Sequence, residues 1–300
     1  MELHCRLRLM ALLLLSGLVG CDAGETGTAV MHGEARSADG VIISYEARAR
    51  GDPALVLVHG WMNTREIWGE HQTTLARAHR VVTLDLAGHG ASGVDRRDWT
   101  IDAFGEDVVA VVEHLALESV VLVGFSMGGG VVLEAAERLG DRVLGVVFVD
   151  TFKDPEKALS DAEVEQMETA FRANWGDTAF VRAFAFTPDA PDSLISYVTE
   201  MMPEEPREHW FTVLRSMKDW MASELLPTLE RIDVPVAAIN TAMPPTNVEA
   251  MRRYAPSFTV DTIAGVGHGG ILLQRVADFD ARLLAIVERV ASARAARGTG

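Results

Sequence analysis

The sequence is poor in cysteine: Cys5 and Cys21 are the only two in 300 residues, both near the start. Placed so, they exclude a disulfide framework across a folded body. Basic residues are also scarce, 27 lysines and arginines against 43 aspartates and glutamates, for a formal net charge of −16. A surface of that sign repels phosphate, so nucleic acid is not an expected partner. Long apolar runs are missing as well. The best, Leu9 to Val19, is interrupted by Ser16 and Gly17 and falls short of the ~20 residues that span a bilayer. No internal repeat stands out, and low complexity is confined to the small polar residues that follow Cys21. Apolar material is not lacking. At 48% of the chain beside 23% charged, it supports a sizeable buried core in one large domain with an insertion, or in two smaller ones.

The first residues differ from the rest. Arg6 and Arg8 precede the apolar run, and Leu18-Val19-Gly20-Cys21 closes it. This arrangement resembles a bacterial lipoprotein signal, in which cleavage falls before a lipidated cysteine. The plainer alternative is an ordinary cleaved signal peptide with an incidental cysteine. The resemblance implies a signal peptide over 1–20, a lipid anchor on Cys21 and an extracytoplasmic place at the cell membrane. Residues 21–38, rich in Gly, Ala, Glu and Thr, read as a flexible tether to the folded domain.

Beyond the tether the chain alternates. Val41 to Ala47 reads as a strand by its β-branched content. Six apolar runs follow: 54–58, 81–86, 120–123, 143–149, 234–239 and 258–263. Five are nearly unbroken, as strands buried on both faces are. Thr100 to Leu115 repeats its apolar residues at the helical period, and Met127 to Leu139 also reads as helix. The expected fold class is therefore α/β, a mostly parallel central sheet wrapped by helices. Residues 151–227 break the alternation. They hold no buried-strand run, carry many aromatics and methionines, and open a helix at Ser160-x-x-Glu163 with a capping-box pattern. This stretch is expected to be an inserted helical lid between core segments 39–150 and 228–295. Its stripe of Trp210, Val213, Leu214, Met217 and Met221 serves packing at least as readily as ligand binding.

His59, Asp85, Ser126, Asp150, Asn240 and His268 each stand at the C-terminal end of an apolar run or just past it. In open α/β sheets ligands bind at that edge. Gly124-Phe125-Ser126-Met127-Gly128 is the strongest signal, because it follows a buried strand and opens a helix. Such a turn lifts the serine hydroxyl to the rim and aims neighbouring amides at the same point. A phosphate-binding glycine loop is the competing reading. A serine hydroxyl needs a base, and His268, in Gly265-Val-Gly-His-Gly-Gly, is the candidate; His59 is its rival. The backbone amides of Met127 and Trp61 are placed to hold an oxyanion.

Taken together, His59-Gly60-Trp61, the Asp85 to Ser92 glycine-rich turn, Gly124 to Gly128 and Gly267-His268 resemble the lid-bearing α/β-hydrolase fold over about residues 41–290. The resemblance implies a serine hydrolase working through an acyl-enzyme, and no metal or organic cofactor. Serine at the elbow argues against haloalkane dehalogenases and epoxide hydrolases, which use aspartate there. It also implies an acid just after the run at 234–239. Residues 240–247 hold none. Some relatives place the acid after the preceding strand, where Asp150 stands; a loop-capping role is its alternative. The reading reached is a carboxylesterase acting on apolar small to medium esters, with Ser126, His268 and Asp150 catalytic. Lactonase, amidase, carbon–carbon hydrolase or perhydrolase activity would use the same machinery. The acid-free loop keeps open an inert scaffold that binds a small molecule.

Overall fold

The computed structural model describes residues 30–297, so the signal segment and Cys21 lie outside the described residues. Eight strands form one sheet: β1 (Val30–Arg36), β2 (Ile42–Arg48), β3 (Ala54–Val58), β4 (Val81–Leu84), β5 (Val120–Phe125), β6 (Val143–Val149), β7 (Val236–Thr241) and β8 (Thr259–Ile263). Their order is β1-β2-β4-β3-β5-β6-β7-β8. β1–β2 and β2–β4 pair antiparallel, and every other neighbour pairs parallel.

The expectation of a tether over 21–38 is corrected at its C-terminal part. Val30–Arg36 is an edge strand, registered residue by residue on β2 from Val30 opposite Arg48 to Arg36 opposite Ile42. Its residues are mostly exposed, so it lacks the apolar run by which the inner strands declare themselves. Pairing on one flank, not burial, makes it a strand.

Helices α1 (Gly69–Leu75), α2 (Ile101–His114) and α3 (Gly128–Leu139) connect the central strands. Residues between β6 and β7 form α4 (Asp161–Ala173), α5 (Thr178–Ala185), α6 (Asp192–Glu200), α7 (Glu208–Ser223) and α8 (Leu225–Arg231). α4 opens with the capping box read from the sequence, Ser160 and Glu163 each bonding the other's backbone N–H. α8 runs across the expected boundary at 227 and packs on α3 and α7. α9 (Val248–Tyr254), α10 (Gly270–Leu273) and α11 (Val276–Arg297) complete the chain.

The core has two layers because side chains alternate along each strand. In β3, Ala54, Val56 and Val58 join the cluster under α2, α3 and α7, while Leu55 and Leu57 join the one under α1 and α11. All five are fully buried. β3 is also where the strand order reverses, since the chain passes first to β4 on one side and then to β5 on the other. The crevice at its C-terminal end is the natural place for a ligand.

Candidate active site

Ser126 leaves β5 with φ of 53°, in the left-handed region that a residue with a side chain occupies only when its surroundings force it. Its N–H donates to Val149 O at 2.9 Å, fixing the turn to the end of β6. The flanking glycines are steric necessities. A Cβ on Gly124 would lie 2.2 Å from Gly128 O, and one on Gly128 would lie 2.7 Å from both Val58 O and His59 O. α3 begins immediately afterwards, with Met127 at its N-cap. Among the described residues, no acceptor engages the backbone N–H of Met127 or of Trp61.

His268 follows β8 on a loop held by the inserted helices. Gly269 N–H donates to Ala185 O at 2.7 Å, and a Cβ on Gly267 would lie 2.8 Å from that same carbonyl. The imidazole stacks on Phe125, with ring centroids 4.8 Å apart. Its Nδ1 donates to Asp150 Oδ2 at 2.7 Å, which leaves Nε2 as the ring's acceptor in the neutral form.

Asp150 ends β6, also in the left-handed region at φ of 47°, and is 8% exposed. Its other oxygen, Oδ1, accepts from Thr241 N–H at 2.8 Å and from Thr241 Oγ1 at 2.9 Å. Lys153 Nζ lies 3.0 Å from it. Burial by itself raises this carboxyl. The His268 bond and charge, the Thr241 N–H and the Lys153 ammonium outweigh it and hold Asp150 well below the usual carboxylate range.

Ser126 and His268 line one cavity of about 120 Å³ with Trp61, Phe171, Phe184 and Met217. Among the described residues, Asn63 is the only other polar side chain in its wall, and no lysine or arginine lines it. The Trp61 indole donates to Trp210 O at 2.7 Å and meets Phe171 edge-on, so α7 and α4 of the insertion fix one wall.

The structure thus brings Ser126, His268, Asp150 and Trp61 together. The other polar residues at the sheet edge are braces. Fully buried His59 accepts the Leu86 N–H at Nε2, 3.0 Å away, and donates from Nδ1 to Gly60 O at 2.8 Å. Asp85 accepts from Arg65 N–H at 2.8 Å and Ala91 N–H at 3.0 Å, closing the glycine-rich turn. Asn240 bonds Thr246. Sequence reasoning misses Thr241 and Lys153. Their only signal is position, one at the end of β7 and the other three residues past Asp150. Among the described residues, no three His, Cys, Asp or Glu side chains gather as metal ligands do.

Residues 53–272 match the family model of the alpha/beta hydrolase fold. The chain belongs to the α/β-hydrolase family. Among curated relatives, the dihydrolipoyllysine-residue acetyltransferase component of the acetoin cleaving system from Cupriavidus necator is 33% identical over 128 residues. That match covers 43% of this chain and 34% of the relative, so the chain spans about a third of that protein's length. A non-heme haloperoxidase from Rhodococcus erythropolis is 36% identical over 115 residues, 38% of this chain and 42% of that one. Among solved structures, a thermophilic esterase from Thermogutta terrifontis superposes with a TM-score of 0.73 at 22% identity, covering 87% of this chain and 99% of that one.

Proposed function

We propose that this α/β-hydrolase is a serine carboxylesterase. The observation that carries the reading is the 2.7 Å bond between His268 Nδ1 and Asp150 Oδ2 beside the left-handed Ser126 turn, at the mouth of an apolar cavity. Ser126 Oγ attacks the ester carbonyl carbon while His268 Nε2 takes the hydroxyl proton. Asp150, ionised, keeps Nδ1 protonated and balances the imidazolium. The free amides of Met127 and Trp61 stabilise the tetrahedral oxyanion. The C–O bond then breaks, the imidazolium proton passes to the departing alcohol, and an acyl-serine remains. Water, giving a proton to His268, attacks that acyl group; the acid leaves and the proton returns to Ser126.

The cavity favours neutral, apolar acyl or alkoxy groups. At about 120 Å³ it is close to the ~150 Å³ of an apolar cavity that takes one benzene ring. A carboxylate buried there would meet no cation. The absence of an acid from residues 240–247 is what favours an inert scaffold. Against it, the Asp150–His268 bond supports the enzymatic reading, with Thr241 of that loop donating to the acid in place of supplying one.

A fluorophosphonate probe tests the reading. It should label Ser126 in the wild type, fail on Ser126→Ala, and label His268→Ala only weakly because the hydroxyl is then unactivated. A folded wild type that turns over p-nitrophenyl butyrate yet never labels would sink it. A panel of esters, lactones and amides then sorts the bond cleaved.

The reading includes a lipid anchor at Cys21 and an extracytoplasmic place at the cell membrane, for which the Leu18-to-Cys21 signal is the support. Among the described residues no helix is long and apolar enough to cross a membrane. β1 starts at Val30, within the segment 21–38 expected as a tether, and residues 21–29 lie outside the described residues.

A further inference from the structure

Asp150 has a second neighbour beside His268, the charged Lys153, which the steps above do not use. Its three N–H donors have three acceptors: Asp150 Oδ1 at 3.0 Å, Thr241 Oγ1 at 2.5 Å and Met243 O at 2.9 Å. Its own carbonyl accepts from Asn247 N–H at 2.6 Å. The side chain is 14% exposed. Lys153 thus ties the end of β6 to both ends of the loop that holds no acid.

We propose that Lys153 is a positioning residue for His268, acting through Asp150: its ammonium aims the carboxylate at the imidazole and offsets part of its negative charge. The aiming follows from asymmetry. Lys153 and both Thr241 donors gather on Oδ1, which leaves Oδ2 to His268 alone. The charge effect follows from sign. A carboxylate favours imidazolium, and a cation on its far side weakens that preference.

Few other charges bear on the pair. Ser126 faces His268 from β5, and the insertion meets its loop with Ala185 and Phe186, neither ionisable. Beside Lys153, Asp154 pairs with Lys157, and from α9 Arg253 pairs with Glu156 and Glu249.

The inference rests on the serine-hydrolase reading, but its test does not need turnover. NMR titration of the His268 ring is compared in the wild type, Lys153→Met, Lys153→Gln and Lys153→Arg. The midpoint should rise by about one pH unit in the Met and Gln variants, and the acid limb of kcat/KM should move with it. Lys153→Arg, which keeps the charge, should titrate like the wild type. A packing role would lower the Tm of Lys153→Met without moving the midpoint. Lys153→Gln keeps donors for Thr241 and Met243, so it carries the test if the Met variant does not fold. An unmoved midpoint in either folded variant overturns the proposal. A moved midpoint in a protein that fluorophosphonate never labels would keep the coupling and reject the hydrolase reading.

Discussion

Asp150 keeps its two oxygens in different company, Oδ2 with His268 and Oδ1 with Thr241 and Lys153. Replacing it with asparagine removes the charge that balances an imidazolium and frees the ring to adopt the wrong tautomer. Asp150→Asn should therefore lower kcat by about 10²–10⁴. It also leaves the largely buried Lys153 ammonium without its counter-ion but with Thr241 Oγ1 and Met243 O as acceptors, which should cost about 1–3 kcal/mol of stability in urea unfolding. Asp233 provides the control. It precedes β7, at the opposite edge of the sheet, and Asp233→Asn should leave kcat within about twofold of the wild type. Near-full turnover in Asp150→Asn would move the acid elsewhere or leave His268 to act without one. The serine is legible in the sequence because the G-x-S-x-G turn is a local steric object, set by residues within two positions of Ser126. The acid is legible only by elimination, since a carboxylate at the end of either neighbouring strand can reach the same imidazole and residues 240–247 hold none, which leaves Asp150.

At the scale of elements, β1 and the turn after it are held to the body by a buried charge cluster. Asp107, on α2, is fully buried and accepts from Arg96 Nη2 at 2.5 Å, Ser37 Oγ at 2.6 Å and Ala87 N–H at 3.0 Å. One carboxylate so joins the β1–β2 turn, the turn after β4 and the 94–100 loop to a single helix. Asp107→Ala would leave the Arg96 guanidinium, whose side chain is 1% exposed, with Asp39 at 2.7 Å as its one carboxylate partner. Breaking a buried pair from one side costs about 3–5 kcal/mol. Urea unfolding should show that loss, and hydrogen exchange should show β1 losing protection first. Unchanged protection in β1 would mean that its pairing with β2 suffices. The helices were readable from a period or from a cap, as with the apolar repeat of α2 and the Ser160 capping box of α4. β1 was not, because an exposed edge strand needs only a partner's backbone, which composition does not record.

For the whole molecule, the depressed Asp150 carboxyl fixes the sign of one pH effect. Between its folded-state value and its usual value near 4, the unfolded chain binds more protons than the folded one, so stability rises with pH there. The contribution is complete above about pH 5 and is lost as pH falls through and below 4. Urea unfolding across pH 2–6 should show a shallower slope in Asp150→Asn than in the wild type; parallel curves would remove Asp150 from the acid limb. The anchor is tested at the same scale. Cys21→Ser should shift the protein from the membrane to the soluble fraction or halt its maturation. Intact mass of the wild type showing an unmodified N-terminus at Asp22 or beyond would exclude lipidation.

By itself, the sequence determined the α/β class, the places of the inner strands along the chain, the serine turn and the histidine after the last strand. Each of these is written in short-range chemistry: unbroken apolar runs for strands buried on both faces, glycines where backbones touch, and polar residues at the ends of runs. Only the tertiary structure decided which of six polar residues at one sheet edge meet in a cavity and which brace turns. It alone paired Asp150 with His268 across 118 positions and set Lys153 and Thr241 around the carboxylate. It alone turned Val30–Arg36 from tether into strand. The physical reason is common to all three. Hydrogen bonds and ion pairs between residues far apart in the chain depend on distances and directions that only packing of the sheet and its helices defines.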